Sequence, residues 1–166
     1  MKRLTLFAMI ALFMVQAWGD SDQIEFPKDY RTSFKNYLSL DRTQNQDQII
    51  RLFANDIAQQ GPGTDGKLSY GSVLVAEIYK AKKDADGNVL TSNLGKRIRD
   101  TFVLVAVMER GEGWGETYPE GLRNDGWDFA TFKPDGSPAE KDLNACRACH
   151  APLAETNHLF SYEHFK

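Results

Sequence analysis

The chain has 166 residues, with 20 Lys and Arg against 23 Asp and Glu, a formal net charge of −3. That length is one domain's worth, long enough to bury a core. The acidic balance and the absence of a basic patch exclude nucleic acid as a partner.

Residues 1–19 read as a secretory signal. Lys2 and Arg3 precede an apolar run from Leu4 to Val15, and Ala17-Trp18-Gly19 supplies small residues around a cut before Asp20. The run is short for a bilayer span, so the reading is an exported, periplasmic chain with no membrane contact once the signal is removed. Taking Lys2 and Arg3 from the 20 basic residues leaves 18 against 23 acidic ones, a net charge of −5. Residues 20–166 form the single mature domain.

In chain order, residues 20–29 form a polar arm. Tyr30, Phe34 and Tyr37-Leu38 recur at helical spacing, although residues 37–40 also alternate. Residues 41–48 read as a loop. Ile49 to Phe53 reads as a strand, followed by a turn or short helix capped by Asn55-Asp56. Residues 61–66 break the pattern, Val73 to Tyr79 is a strand, and residues 84–88 make a hairpin turn. Phe102 to Met108 is apolar at every position and reads as a strand buried on both faces. A glycine-rich loop carrying Trp114 and Tyr118 covers 111–124. Trp127 to Phe132 is a strand ended by Lys133-Pro134-Asp135-Gly136. Ala139 to His150 reads as a helix stopped by Pro152. The fold class is α+β: one antiparallel, sheet-rich domain with a helix near the C-terminus.

That helix carries Cys146-Arg147-Ala148-Cys149-His150, the attachment signature of c-type haem. Two thiols on one helical turn can each add to a vinyl group of the porphyrin, and the next residue offers its imidazole to the iron. The chain has 2 cysteines, so this use takes both. Three other readings stand beside it, one of them a chance occurrence of the pentapeptide. A redox pair belongs where a strand enters a helix early in a domain, not close to the C-terminus. A zinc site completed by His150, His158 or His164 lacks a second paired knuckle.

The order of the segments resembles the cytochrome P460 and cytochrome c′-beta family. The resemblance runs through Phe26-Pro27-Lys28-Asp29-Tyr30-Arg31, Ile50-Arg51-Leu52-Phe53-Ala54-Asn55 and Gly71-Ser72-Val73-Leu74-Val75-Ala76-Glu77. It continues through Gly126-Trp127-Asp128-Phe129-Ala130-Thr131-Phe132 and closes on the haem motif and Asn157-His158-Leu159-Phe160. It implies one covalent haem c per chain through Cys146 and Cys149, an iron held by His150 alone, and often a homodimer. Members called P460 oxidise hydroxylamine with a lysine bonded to the haem. The c′-beta members lack that bond and bind gases such as nitric oxide.

The lysine position is Ala76 here, which argues against P460-type catalysis. Lys80 shares its strand parity but lies about 13 Å further along. Arg51 matches a family arginine near the distal pocket, against the alternative of an edge-strand arginine in solvent. Phe129 and Phe132 are candidate caps of the distal face, against ordinary core packing. Met108, His158 and His164 are the candidates for a sixth ligand, which would make a pure electron carrier. Glu109, Glu112 and Glu116 receive no role. The expected partners are a small gaseous or nitrogenous ligand and a redox partner protein.

Overall fold

The computed structural model describes residues 23–166; the signal read at 1–19 lies outside the described residues. Five antiparallel strands follow one another in chain order: β1 (Lys35–Asp41), β2 (Gln48–Ala54), β3 (Val73–Ala81), β4 (Arg99–Arg110) and β5 (Trp127–Phe132). Each pairs with the strand next to it in sequence, so the sheet is a meander. Three short helices accompany it: α1 (Tyr30–Ser33), α2 (Asp56–Gln59) and α3 (Leu143–His150). The sheet-rich architecture agrees with the reading of the sequence.

Three local expectations are corrected. The helical period from Tyr30 to Leu38 yields only α1, and the chain then becomes β1. Pairing of Leu38 with Leu52 and Leu40 with Ile50 outweighs a weak local preference, since a short helix gains little alone. The last helix starts at Leu143, not Ala139. Ala139 N–H instead donates to Thr131 O at 2.9 Å, and Pro138 bridges to Phe132. The helix begins only after Asp142, whose carboxylate caps Asn144 N–H at 3.0 Å. Finally, β4 is buried on one face only. Val105 and Val107 are buried, whereas Leu104, Ala106 and Met108 on the other face are half-buried.

Residues paired across adjacent strands share a face, so the register divides the sheet into two surfaces. On one, Phe53, Val75, Val105, Val107, Ala130 and Phe132 form a core closed by Ile24, Phe26 and Tyr30 of the N-terminal arm. Glu77 is fully buried on this face. It accepts from Tyr30 Oη at 2.8 Å, Arg31 Nε at 2.6 Å, Arg51 Nη1 at 3.0 Å and Tyr79 Oη at 3.0 Å.

On the other face, Ala54, Leu74 and Trp127 pack with Leu159, Tyr162 and Phe165 from the C-terminal segment. That segment closes against Gly61, whose φ is +81°. A Cβ there would stand 2.7 Å from Phe165 O. Gly61→Ala should therefore destabilise the fold by more than about 1 kcal/mol, from the positive φ and the clash together. Urea unfolding measures it; an unchanged midpoint would show that the segment yields freely.

Candidate functional site

Three rows of paired residues cross the second face. Leu38, Leu52, Ala76, Ala106 and Thr131 form the middle row. Leu40, Ile50, Ile78 and Leu104 lie to one side, and Ala54, Leu74, Met108 and Phe129 to the other. Leu38, Leu40, Ile50, Leu52, Ala76, Leu104 and Ala106 remain half-buried. The surface is apolar, continuous over five strands, and only partly covered.

Helix α3 is anchored at the β5 edge of this sheet by the residue between the two cysteines' helical turn and the strand. Arg147 is buried and donates to Asp128 Oδ1 from Nε at 3.0 Å and from Nη2 at 2.8 Å. It also donates to Asn144 Oδ1 at 2.9 Å, and its guanidinium lies 4.4 Å from the Tyr118 ring centroid. Asn124 Nδ2 donates to Arg147 O at 3.2 Å. The anchoring turns Cys146 to a half-buried position and leaves Cys149 exposed. Burial pushes the Cys146 thiol up, partly offset by the positive charges of Arg147 and Arg42. Arg42 is at the far edge of the sheet and donates to Gln48 Oε1 at 2.6 Å.

His150 ends the helix between two phenyl rings. Phe129 lies 5.0 Å away, tilted by 57°, and Phe160 lies 5.1 Å away, edge-on at 80°. Its Nδ1 is 2.8 Å from His158 O. A carbonyl only accepts, so Nδ1 carries the proton and the Nε2 lone pair is free to bind a metal. Burial holds the imidazole below its ordinary pKa, which keeps it neutral. Two thiols one turn apart, a neutral imidazole with its far nitrogen available, and an apolar surface form a donor set that fits a c-type haem. Among the described residues, no three His, Cys, Asp or Glu side chains come together as a metal-holding group.

The cytochrome P460 family model matches residues 27–161. The chain belongs to the cytochrome P460 family. No curated protein matches it. Membership brings haem and iron binding of the monohaem c-type class.

Against that family background, several predicted site residues fall in unexpected places. Cys146, Cys149, His150 and Phe129 come together. Phe129 packs against the His150 imidazole itself. Arg51 and Phe132 lie on the other sheet face: Arg51 is paired with Glu77, and Phe132 packs on Phe26 at 5.3 Å. Neither shares a wall with His150. Ala76, the P460 lysine position, is in the middle row of the apolar face, while Lys80 is exposed and pairs with Gln48. Met108 packs against the cluster of Leu74, Trp127 and Leu159.

Neither of the two later histidines faces His150 across an iron site. The His158 ring sits beside the His150 main chain, with Nδ1 3.2 Å from His150 O. His164 is exposed, its ring 6.1 Å from that of Tyr37. Sequence reasoning missed Arg147, Asp128 and the carbonyl of His158. An arginine inside the attachment motif, paired with an aspartate inside a buried strand, was the available signal for the first two.

Proposed function

We propose that this chain is an exported monohaem cytochrome that carries haem c through Cys146 and Cys149, with His150 as its one protein axial ligand. It binds a small ligand such as nitric oxide on the opposite side and passes single electrons to a redox partner protein. The observation that carries this reading is the orientation of His150, whose Nδ1–H is taken by His158 O within the two-thiol motif. When bound, the haem supplies a one-electron couple and an axial position open to a small molecule.

The chain's own residues account for the rest. Cys146 and Cys149 would hold the group through thioether bonds, each thiol's sulfur and hydrogen adding across one vinyl group, so that no atom would leave and no oxidant would be needed. Phe129 and Phe160 flank the imidazole and limit the tilt of its plane. The half-buried leucines and alanines favour small neutral ligands over charged ones. Ala76 has no amine to bond to the porphyrin, which favours gas binding over hydroxylamine oxidation. His158 is committed to the His150 main chain, which favours a single axial histidine. The leader supports a periplasmic location, and the family resemblance supports a homodimer.

Optical spectra of the purified holoprotein, with and without nitric oxide, test this reading. The expected result is a high-spin c-type spectrum that changes on addition of the gas. A low-spin spectrum indifferent to nitric oxide would replace the proposal with a pure electron carrier. A red-shifted ferrous Soret band would replace it with a P460-type enzyme. Cys146→Ala combined with Cys149→Ala should abolish haem staining on a denaturing gel, and retained stain would refute thioether attachment.

A further inference from the structure

The imidazoles of His150 and His158 each bond the other's main chain, His150 Nδ1 to His158 O at 2.8 Å and His158 Nδ1 to His150 O at 3.2 Å. Both partners are carbonyls, so both Nδ1 atoms carry protons. His158 is buried, and it follows Asn157 in a pair of left-handed residues with φ of +48° and +60°. Such conformations are costly for side chains with a Cβ and persist where the surroundings enforce them. Here His158 N–H donates to Leu153 O at 2.7 Å, and Asn157 Oδ1 accepts from Leu68 N–H at 3.0 Å. The turn serves to bring one carbonyl, that of His158, against the axial imidazole.

We propose that His158 is a positioning residue for the axial histidine: its side chain, tied to His150 O, holds its own carbonyl on His150 Nδ1. The reciprocal pair fixes the rotation of the His150 ring and the proton on its near nitrogen. A carbonyl on that proton makes the far nitrogen a stronger donor to a metal. This inference rests on His150 being the axial ligand. It assigns His158 no contact with iron, ligand or substrate.

The test compares wild-type holoprotein with His158→Leu, His158→Asn and His158→Gln. An asparagine amide nitrogen stands as many bonds from Cβ as histidine Nδ1, whereas that of glutamine stands one bond further out. The readouts are the resonance Raman iron–histidine stretching band of the reduced protein and the reduction potential. His158→Leu should move the band to lower frequency and raise the potential, because a weaker donor stabilises the oxidised iron less. His158→Asn should restore both. Haem-loaded His158→Leu with both readouts at wild-type values would overturn the proposal. Should His158→Leu fail to fold, the other two decide: Gln shifted and Asn unshifted supports the proposal, and equal behaviour overturns it. Wild-type protein with no covalent haem on a denaturing gel would instead overturn the underlying reading, and this proposal with it.

Discussion

Asp128→Ala should lower the unfolding free energy by about 3–5 kcal/mol, the usual cost of removing one partner from a buried ion pair. Asp128 and Arg147 keep only 1% and 4% of their side-chain surface exposed, so water cannot replace the lost carboxylate. The guanidinium would retain Asn144 and the Tyr118 ring, neither of which carries a compensating charge. Asp128 also accepts from Tyr118 Oη at 2.9 Å and from its neighbour Phe129 N–H at 2.8 Å, so two more hydrogen bonds are lost with the carboxylate. For a domain of this size the melting temperature should fall by roughly 10 °C. Pairing Asp128→Ala with Arg147→Met should recover much of the loss, because the double variant leaves no stranded charge. A calorimetric double-mutant cycle measures this. If Asp128→Ala melts within a degree of wild type, helix α3 is not held by this pair.

Glu77→Ala should cost about 3 kcal/mol by a different route. Of the four donors on the carboxylate, Arg31 keeps 52% of its side-chain surface and Arg51 keeps 29%, so both can turn to water. Tyr30 and Tyr79 are buried, and their hydroxyls would be left without an acceptor. The same network predicts a pH dependence. Burial by itself raises the Glu77 carboxyl, but hydrogen bonds from Tyr30, Arg31 and Tyr79 and the charge of Arg31 outweigh it. The folded pKa therefore lies below the ordinary carboxylate value. A depressed folded pKa means that the unfolded chain binds more protons. The stabilisation is thus complete above the unfolded pKa and is lost as pH falls through the folded one. Urea midpoints between about pH 5 and pH 3 should fall more steeply for wild type than for Glu77→Gln. Parallel curves would show that Glu77 does not contribute to the acid loss.

Some of this could be read from residue order alone. Trp127 to Phe132 is bounded by Gly126 and by Lys133-Pro134, and both ends of β5 fall there. Asn55 caps α2 as its side chain predicts, accepting from Ala58 N–H at 3.0 Å. β1 was hidden because Tyr30, Phe34 and Tyr37-Leu38 also fit a helical spacing, which competed with the short alternation over residues 37–40. The misplacement of Phe132 was avoidable: residues three apart in a strand point to opposite sides, so Phe129 and Phe132 never formed a common lid. Arg51 sits between Ile49 and Phe53 on the same parity, but its partner is 26 residues away and emerges only with the register. The part played by His158 at His150 is made by a main-chain oxygen, which no side-chain pattern announces.

The meander carries a consequence for the order of assembly. Every strand pairs with the one before it in the chain, so no pairing skips a strand and the sheet can grow by successive local additions. Helix α3 comes after all five strands, so its anchors Asn124, Asp128 and Phe129 precede Cys146 in the chain. Leu159, Tyr162 and Phe165, which pack on the second face, follow both cysteines, so that face is completed only by residues beyond them.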